Sequence, residues 1–327
     1  MNYLFPGFSQ KPAFAKFLFL LLIIVVSFTI TTLVGLVIAV PFYGIDVLKN
    51  LGAYTNIHDK ETISFIKYFQ VISQIGIFVL PAFLYALLEK NKAFDYLKLN
   101  RAINIQSLII SILIILSALP AVNWMVEINE QMNLPKFLSG LENWMRESEE
   151  KTKLITDIFL DVNTISGLMV NLFIIAFLAA VGEELLFRGI ILKLMAEATK
   201  NINWGIFISA ALFSALHIQF YGFLPRMELG IIFGYIYVWS GSLWVSMILH
   251  FIFNGMTVVA SYLFNVGVIS VDPDSLGSSS NIILISFSFL ISFTLMFLFY
   301  QKRGRENSSQ FLEQKKEEPS FEDSSHL

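Results

Sequence analysis

A chain of 327 residues that is 56% hydrophobic and only 14% charged is not an ordinary soluble protein. The near-balanced net charge of −3 points to no nucleic-acid partner, and the absence of cysteine excludes disulfides, thiolate nucleophiles and Cys-ligated metals. Thirty-two phenylalanines and several apolar runs of about 20 residues predict an all-α, multi-pass membrane bundle of about eight transmembrane helices.

The first apolar run follows Lys11 and Lys16 and could be mistaken for a signal peptide. From Phe17 to Val40 it is too long for a signal h-region and has no clear small-residue cleavage site, so it is read as a retained first span. The second span is placed at 68–88, with Pro81 as a kink, and the third at 106–125, with Pro120 close to its end. Segment 126–165 sets Leu141, Trp144 and Met145 among Glu142, Arg146, Glu147, Glu149 and Glu150. That pattern is read as a solvated or interface-lying amphipathic helix rather than a substrate-binding lid. Five further spans are placed at 166–195, 203–222, 227–240, 243–265 and 281–300, giving a membrane domain over 1–301. Residues 302–327, rich in Glu, Lys, Ser and Gln, are expected to be a disordered cytoplasmic tail.

Fourteen of the 22 lysines and arginines fall on the inner side when the N-terminus is placed inside. The excess puts both termini in the cytoplasm of a cell-membrane protein. No internal repeat is evident, which weighs against inverted-repeat transporters.

Three of these spans carry groups that are costly at bilayer depth and therefore mark function. The fourth holds Glu183, Glu184 and Arg188; the fifth holds His217; the seventh holds His250 and Asn254. Each has a plain structural reading, an ion-pair clasp or interhelical glue. All six, however, fall within 72 residues, and nothing of comparable cost occurs in the first three spans. Glu184 and Arg188 are four apart and share a helical face, whereas Glu183 points about a hundred degrees away. His250 and Asn254 also share a face.

A carboxylate and an imidazole can hold a water and take its proton. A second imidazole with a carboxamide can donate to the oxyanion of a tetrahedral intermediate. That is equipment for amide hydrolysis without a covalent intermediate, and no serine lies in a G-x-S-x-G context. Alternatively Glu183, His217 and His250 could ligate a catalytic zinc, although no H-E-x-x-H signature supports it.

The three pieces, Glu183-Glu184-Leu-Leu-Phe-Arg188, Phe213-Ser-Ala-Leu-His217 and His250-Phe-Ile-Phe-Asn254, resemble the E-E-x-x-x-R, F-x-x-x-H and H-x-x-x-N motifs of the type II CAAX prenyl endopeptidase family, also called the CAAX protease and bacteriocin-processing (CPBP) family. The resemblance covers about 166–265 and makes it the catalytic core. It implies a glutamate-type intramembrane endopeptidase in which Glu183 and His217 activate water and His250 and Asn254 form the oxyanion hole. Glu184 and Arg188 would support them, and a protein or peptide at the membrane would be the substrate. No cofactor is favoured, with zinc as the metalloprotease alternative. An ion-coupled carrier using the buried carboxylates as a relay, and a non-catalytic immunity or scaffold relative, are the rival readings. The catalytic cavity is expected to open toward the cytoplasm, because the first motif nears the inner end of its span. One tension attends the pattern. His217 lies about 21 Å along its helix from Asn203, whereas His250 lies about 12 Å from Ser242.

Overall fold

A computed structural model describes residues 7–49, 59–90 and 92–313. Nine principal helices are described: α1 Ala13–Tyr43, α2 Lys60–Glu89, α3 Ile105–Glu130, α4 Ser139–Leu160, α5 Ile165–Thr199, α6 Ile202–Ala215, α7 Phe223–Ser240, α8 Leu243–Asn265 and α9 Ile282–Ser309. No strand occurs among the described residues. In hydrocarbon every backbone polar group must be satisfied within its own segment, which is why an apolar chain of this kind resolves into helices.

Six helices are long and apolar enough to cross a membrane: α1, α2, α3, α5, α8 and α9. On α1 and α9, side chains such as Val25, Val37, Ile283 and Phe293 stand exposed, as a lipid-facing surface requires. The structure is that of a multi-pass membrane bundle. The fifth and sixth of the eight expected spans are different in kind. The 14 residues of α6 extend about 21 Å, short of a ~30 Å hydrocarbon core, and α7 carries Arg226 and Glu228 in its first two turns. Together they make a hairpin packed against α5 on one side and α3 on the other.

Small residues let this hairpin form. A methyl built at Gly205 would stand 2.7 Å from the Ala196 nitrogen, so α6 can lie against the end of α5 only with glycine there. At Gly230 a Cβ would meet that of Ala210 at 2.9 Å, which sets how closely α7 approaches α6. His217 is not inside α6 but on the turn just beyond it, followed by Ile218 in the left-handed region at φ 54°.

Two polar clasps fix the frame. The Lys16 ammonium, fully buried, sits 2.7 Å from Glu89 and 3.4 Å from Glu197, joining the start of α1 to the ends of α2 and α5. Lys67 Nζ donates to Asn171 Oδ1 at 2.9 Å and to the Phe159 carbonyl at 3.1 Å, joining α2 to α4 and α5.

The tail differs from expectation. Helix continues through Arg305–Glu313, and Asn307 Nδ2 donates to the Trp239 carbonyl at 2.5 Å, so this part is docked on α7. The rest of the expected disordered tail, 314–327, lies outside the described residues, as do His58 and His326.

The amphipathic segment 126–165 does contain a helix, α4, but it rests on protein. Trp144 packs on Phe220 with ring centroids 5.2 Å apart, and Arg146 lies 4.7 Å over the Tyr221 ring. Ser148 Oγ donates to the Ile218 carbonyl at 3.3 Å, and the Tyr221 amide donates to Glu149 at 3.3 Å. Thus α4 covers the tip of the hairpin, and Asn129 at the end of α3 holds that tip by donating to the Phe220 carbonyl.

Candidate active site

Glu183 and Glu184 lie in the α-helical stretch Ala179–Leu186, between the π-helical stretches Leu172–Leu178 and Phe187–Ile191 of α5. A π turn shifts the hydrogen-bond ladder by one residue and re-aims the side chains that follow, a device common at functional sites. Gly182 allows α2 to pass close by, since a Cβ there would stand 3.0 Å from that of Phe78.

The second carboxylate is fully buried and held by two partners. Arg188 Nη1 donates to Glu184 Oε1 at 2.7 Å, the pairing that their four-residue spacing predicts. The other arm of the guanidinium, Nη2, donates to the Gly230 carbonyl of α7 at 3.1 Å, while its plane faces Phe213 at 4.9 Å and Phe233 at 5.5 Å. The guanidinium thereby fixes α5 and the hairpin to each other as well as holding Glu184.

His250 joins the two carboxylates, a link that sequence spacing does not reveal. Its Nδ1 lies 3.0 Å from Glu184 Oε1, and its Nε2 lies 3.8 Å from Glu183 Oε2. A carboxylate can only accept, so Nδ1 carries the proton and Nε2 is the nitrogen presented to Glu183. The ring is packed between Phe233 and Phe213, at 5.4 and 6.1 Å.

His217 is oriented from the opposite nitrogen environment. Its Nδ1 donates to the Phe213 carbonyl at 2.8 Å, which leaves Nε2 as the basic position of the neutral ring. Phe213 therefore has three tasks: it carries the carbonyl that orients His217, flanks His250, and backs Arg188. Glu183 and His250 are both within electrostatic reach of His217. Asn254 Nδ2 donates to the Ile175 carbonyl at 3.1 Å, inside the π-helical stretch. Only one of the two amide hydrogens is needed for that bond.

All six sequence-identified residues thus come from α5, the hairpin tip and α8. Glu183, Glu184, Arg188 and His250 are buried, whereas His217 and Asn254 are half-buried. Glu183 is about 27 Å along α5 from Ile165 and about 24 Å from Thr199. The motif is therefore near mid-helix, because α5 runs past the expected end at residue 195, and the argument for an inward opening is lost.

One charged residue escaped the sequence reading. Arg226, in the first turn of α7, donates to Gln219 Oε1 at 2.7 Å and interacts electrostatically with both Glu149 of α4 and Glu183. The available signal was a guanidinium at the very edge of an assigned apolar span; it looked like an ordinary boundary charge.

Residues 165–256 match the family described as type II CAAX prenyl endopeptidase Rce1-like. The match runs from the start of α5 into α8 and includes all three motifs, so the resemblance read from them is borne out. It supports a CAAX-type intramembrane protease; α1 to α4 and α9 lie outside it. Comparisons with curated proteins and with solved structures give no match. Among the described residues no group of three His, Asp or Glu side chains is placed to hold a metal ion. Of the set considered for zinc, His250 has Nδ1 engaged by Glu184 and His217 has Nδ1 engaged by a carbonyl, so only Nε2 of each ring is open to a ligand role.

Proposed function

We propose that the chain is an intramembrane endopeptidase that hydrolyses a peptide bond by direct attack of water. Glu183 and the Nε2 of His217 are the bases that hold this water and take its proton. His250, through Nε2–H, and Asn254, through its second amide hydrogen, receive the oxyanion of the tetrahedral intermediate. For His250 to donate at Nε2 while Nδ1–H is held by Glu184, the ring acts as imidazolium, with a carboxylate facing each nitrogen. Glu184 and Arg188 position that ring. The reading needs no metal.

The observation that carries the proposal is the arrangement of His250, with Glu184 at 3.0 Å from one ring nitrogen and Glu183 at 3.8 Å from the other, at a place otherwise built of apolar side chains. A structural clasp needs only the Glu184–Arg188 pair. Glu183 is surplus to it and is available for chemistry.

Glu183→Gln tests the assignment because it removes the base and preserves shape. Peptide cleavage in detergent, where no ion gradient exists and a carrier has nothing to do, should fall by several orders of magnitude with substrate binding retained. Membrane proteomes of wild type and variant, searched for uncut precursors, supply the substrate. Undiminished cleavage in Glu183→Gln would refute the proposal.

A further inference from the structure

Outside the catalytic motifs, at the end of the bundle where α7 and α9 finish and α3 begins, a cavity of about 350 Å³ is lined by Lys98, Arg101, Asn104, Ser240, Arg303 and Asn307, with short backbone segments between them. Three cations face it and, among the described residues, no aspartate or glutamate does. A merely solvated basic surface would let such side chains spread apart. Here they converge on a concavity whose walls are tied down.

One wall is the segment between α2 and α3. Trp244 Nε1 donates to the Leu99 carbonyl at 2.9 Å, and Ser242 Oγ donates to the Arg101 carbonyl at 3.1 Å, fixing this segment to the start of α8. Lys98 takes a left-handed backbone, φ 56°, and places its ammonium 4.4 Å over Phe311 and 5.6 Å over Tyr237. The opposite wall is the end of α9, held by the bond from Asn307 to the Trp239 carbonyl. That bond, with the Gly241 amide donating to Tyr237 at 3.1 Å, occupies carbonyls at the end of α7 that would otherwise repel an anion. Asn104 caps α3 by accepting from Ser107 N at 3.0 Å, so the positive end of a 26-residue helix also borders the cavity.

The position narrows the ligand. The lining residues sit at the ends of α3 and α9, both long and apolar enough to cross a membrane, and of α7, beside the Trp239–Tyr300 ring pair, whose centroids are 5.5 Å apart. Trp239 is buried, and Tyr300, 36% exposed, is the ring placed to reach the headgroup level of a bilayer. Burial, and then the charge of Arg101, pushes the Lys98 ammonium down to about 8, a cost that a bound anion would offset. We propose that this cavity is a phosphate-binding site at the membrane surface, with Arg101 and Arg303 as the principal contacts and Lys98 beneath them. The shared chemistry is a phosphate group, supplied by an anionic lipid headgroup or by a free phosphate.

The test uses the full chain in nanodiscs of zwitterionic lipid, with melting temperature as readout. One arm adds rising mole fractions of phosphatidylglycerol, and the other adds inorganic phosphate at matched ionic strength. The wild type should show a saturable rise in melting temperature. A response confined to the first arm identifies the headgroup as the source, and a response in the second identifies the free anion. Each cation removed should raise the half-saturating amount roughly fivefold, so Arg101→Gln/Arg303→Gln should need far more ligand than wild type. If the double variant does not fold, Arg101→Gln alone, at an exposed position, carries the comparison. Wild type unresponsive in both arms, or variants responding as wild type does, would overturn the site.

Discussion

Replacing Arg188 by leucine should damage the protein in two separable ways. The guanidinium is 1% exposed and Glu184 is 0% exposed, so the variant leaves a carboxylate in the core with His250 and Ser246 beside it and no guanidinium. Breaking a buried pair from one side costs about 3–5 kcal/mol, because the remaining charge is uncompensated. The lost donation to the Gly230 carbonyl adds about 1 kcal/mol or more at the contact between α5 and the hairpin. Arg188→Leu should therefore express poorly and melt well below wild type. Arg188→Lys keeps the charge but cannot serve Glu184 and Gly230 as one planar fork, so it should lie between the two.

The decisive variant is Glu184→Gln/Arg188→Leu. It removes both charges, and stability should recover by more than half of the loss in Arg188→Leu, since no unpaired ion remains. Cleavage should not recover, because His250 has lost the carboxylate that holds its Nδ1 proton. Thermal unfolding in detergent and precursor cleavage in membranes read the two effects independently. A double variant as unstable as Arg188→Leu would show that packing volume, not charge, is what Arg188 provides. Full stability and activity in Arg188→Leu would remove the supporting role altogether.

Three other expectations concern the rest of the machinery. Asn254→Ala should remove an oxyanion donor at a cost of about 3 kcal/mol in the transition state, or roughly a hundredfold in turnover, with KM nearly unchanged; a change in KM alone would make Asn254 a packing residue bonded to Ile175. Purified protein should hold no stoichiometric zinc by elemental analysis and should keep its activity in chelator; one zinc per chain, lost and restored together with activity, would contradict the water-activating Glu–His reading. Reporter fusions after Gln301 should lie in the cytoplasm and fusions near Glu149 outside it, following the charge asymmetry; a C-terminus found outside would reverse the assigned orientation.

The chemistry of the site was more legible than its architecture. Charged and imidazole groups in apolar helices stand out because lipid penalises them, and the i, i+4 spacing placed Glu184 on Arg188 correctly. The contact of His250 with both carboxylates joins residues 66 positions apart, beyond any local periodicity. The count of eight spans is left unconfirmed at the hairpin for a physical reason. Hydropathy sums apolar content over a window and cannot distinguish a helix that crosses lipid from one buried among other helices. Most of α7 is buried against α3 and α6, whereas α6 packs on α5 and α7 and leaves Trp204 and Phe207 exposed. Arg226 was missed for the same reason, since a charge at a hairpin tip looks like a charge at a membrane boundary.

The hairpin also bears on how water could reach a site among apolar helices. Glu183 and His250 are 7% and 4% exposed, so water reaching them must pass polar groups that are not themselves sealed in. Of the site residues His217 and Asn254 are the half-buried ones, and Arg226, bonded to Gln219, interacts electrostatically with Glu183 and with Glu149 on α4. A continuous transmembrane helix in place of α6 would have put His217 mid-helix, with its surrounding backbone groups tied up in the ladder. Ending α6 at Ala215 instead sets His217 on a turn whose backbone is held by α3 and α4, through the Ile218 and Phe220 carbonyls and the Tyr221 amide. The contacts that α4 makes with this turn through Trp144, Arg146, Ser148 and Glu149 are those of an exposed helix on a loop, without a buried ion pair among them. Segments held in that way open at a small fraction of the free energy of global unfolding. Residues 216–222 thus join His217 to the contacts that α4 makes with the hairpin tip.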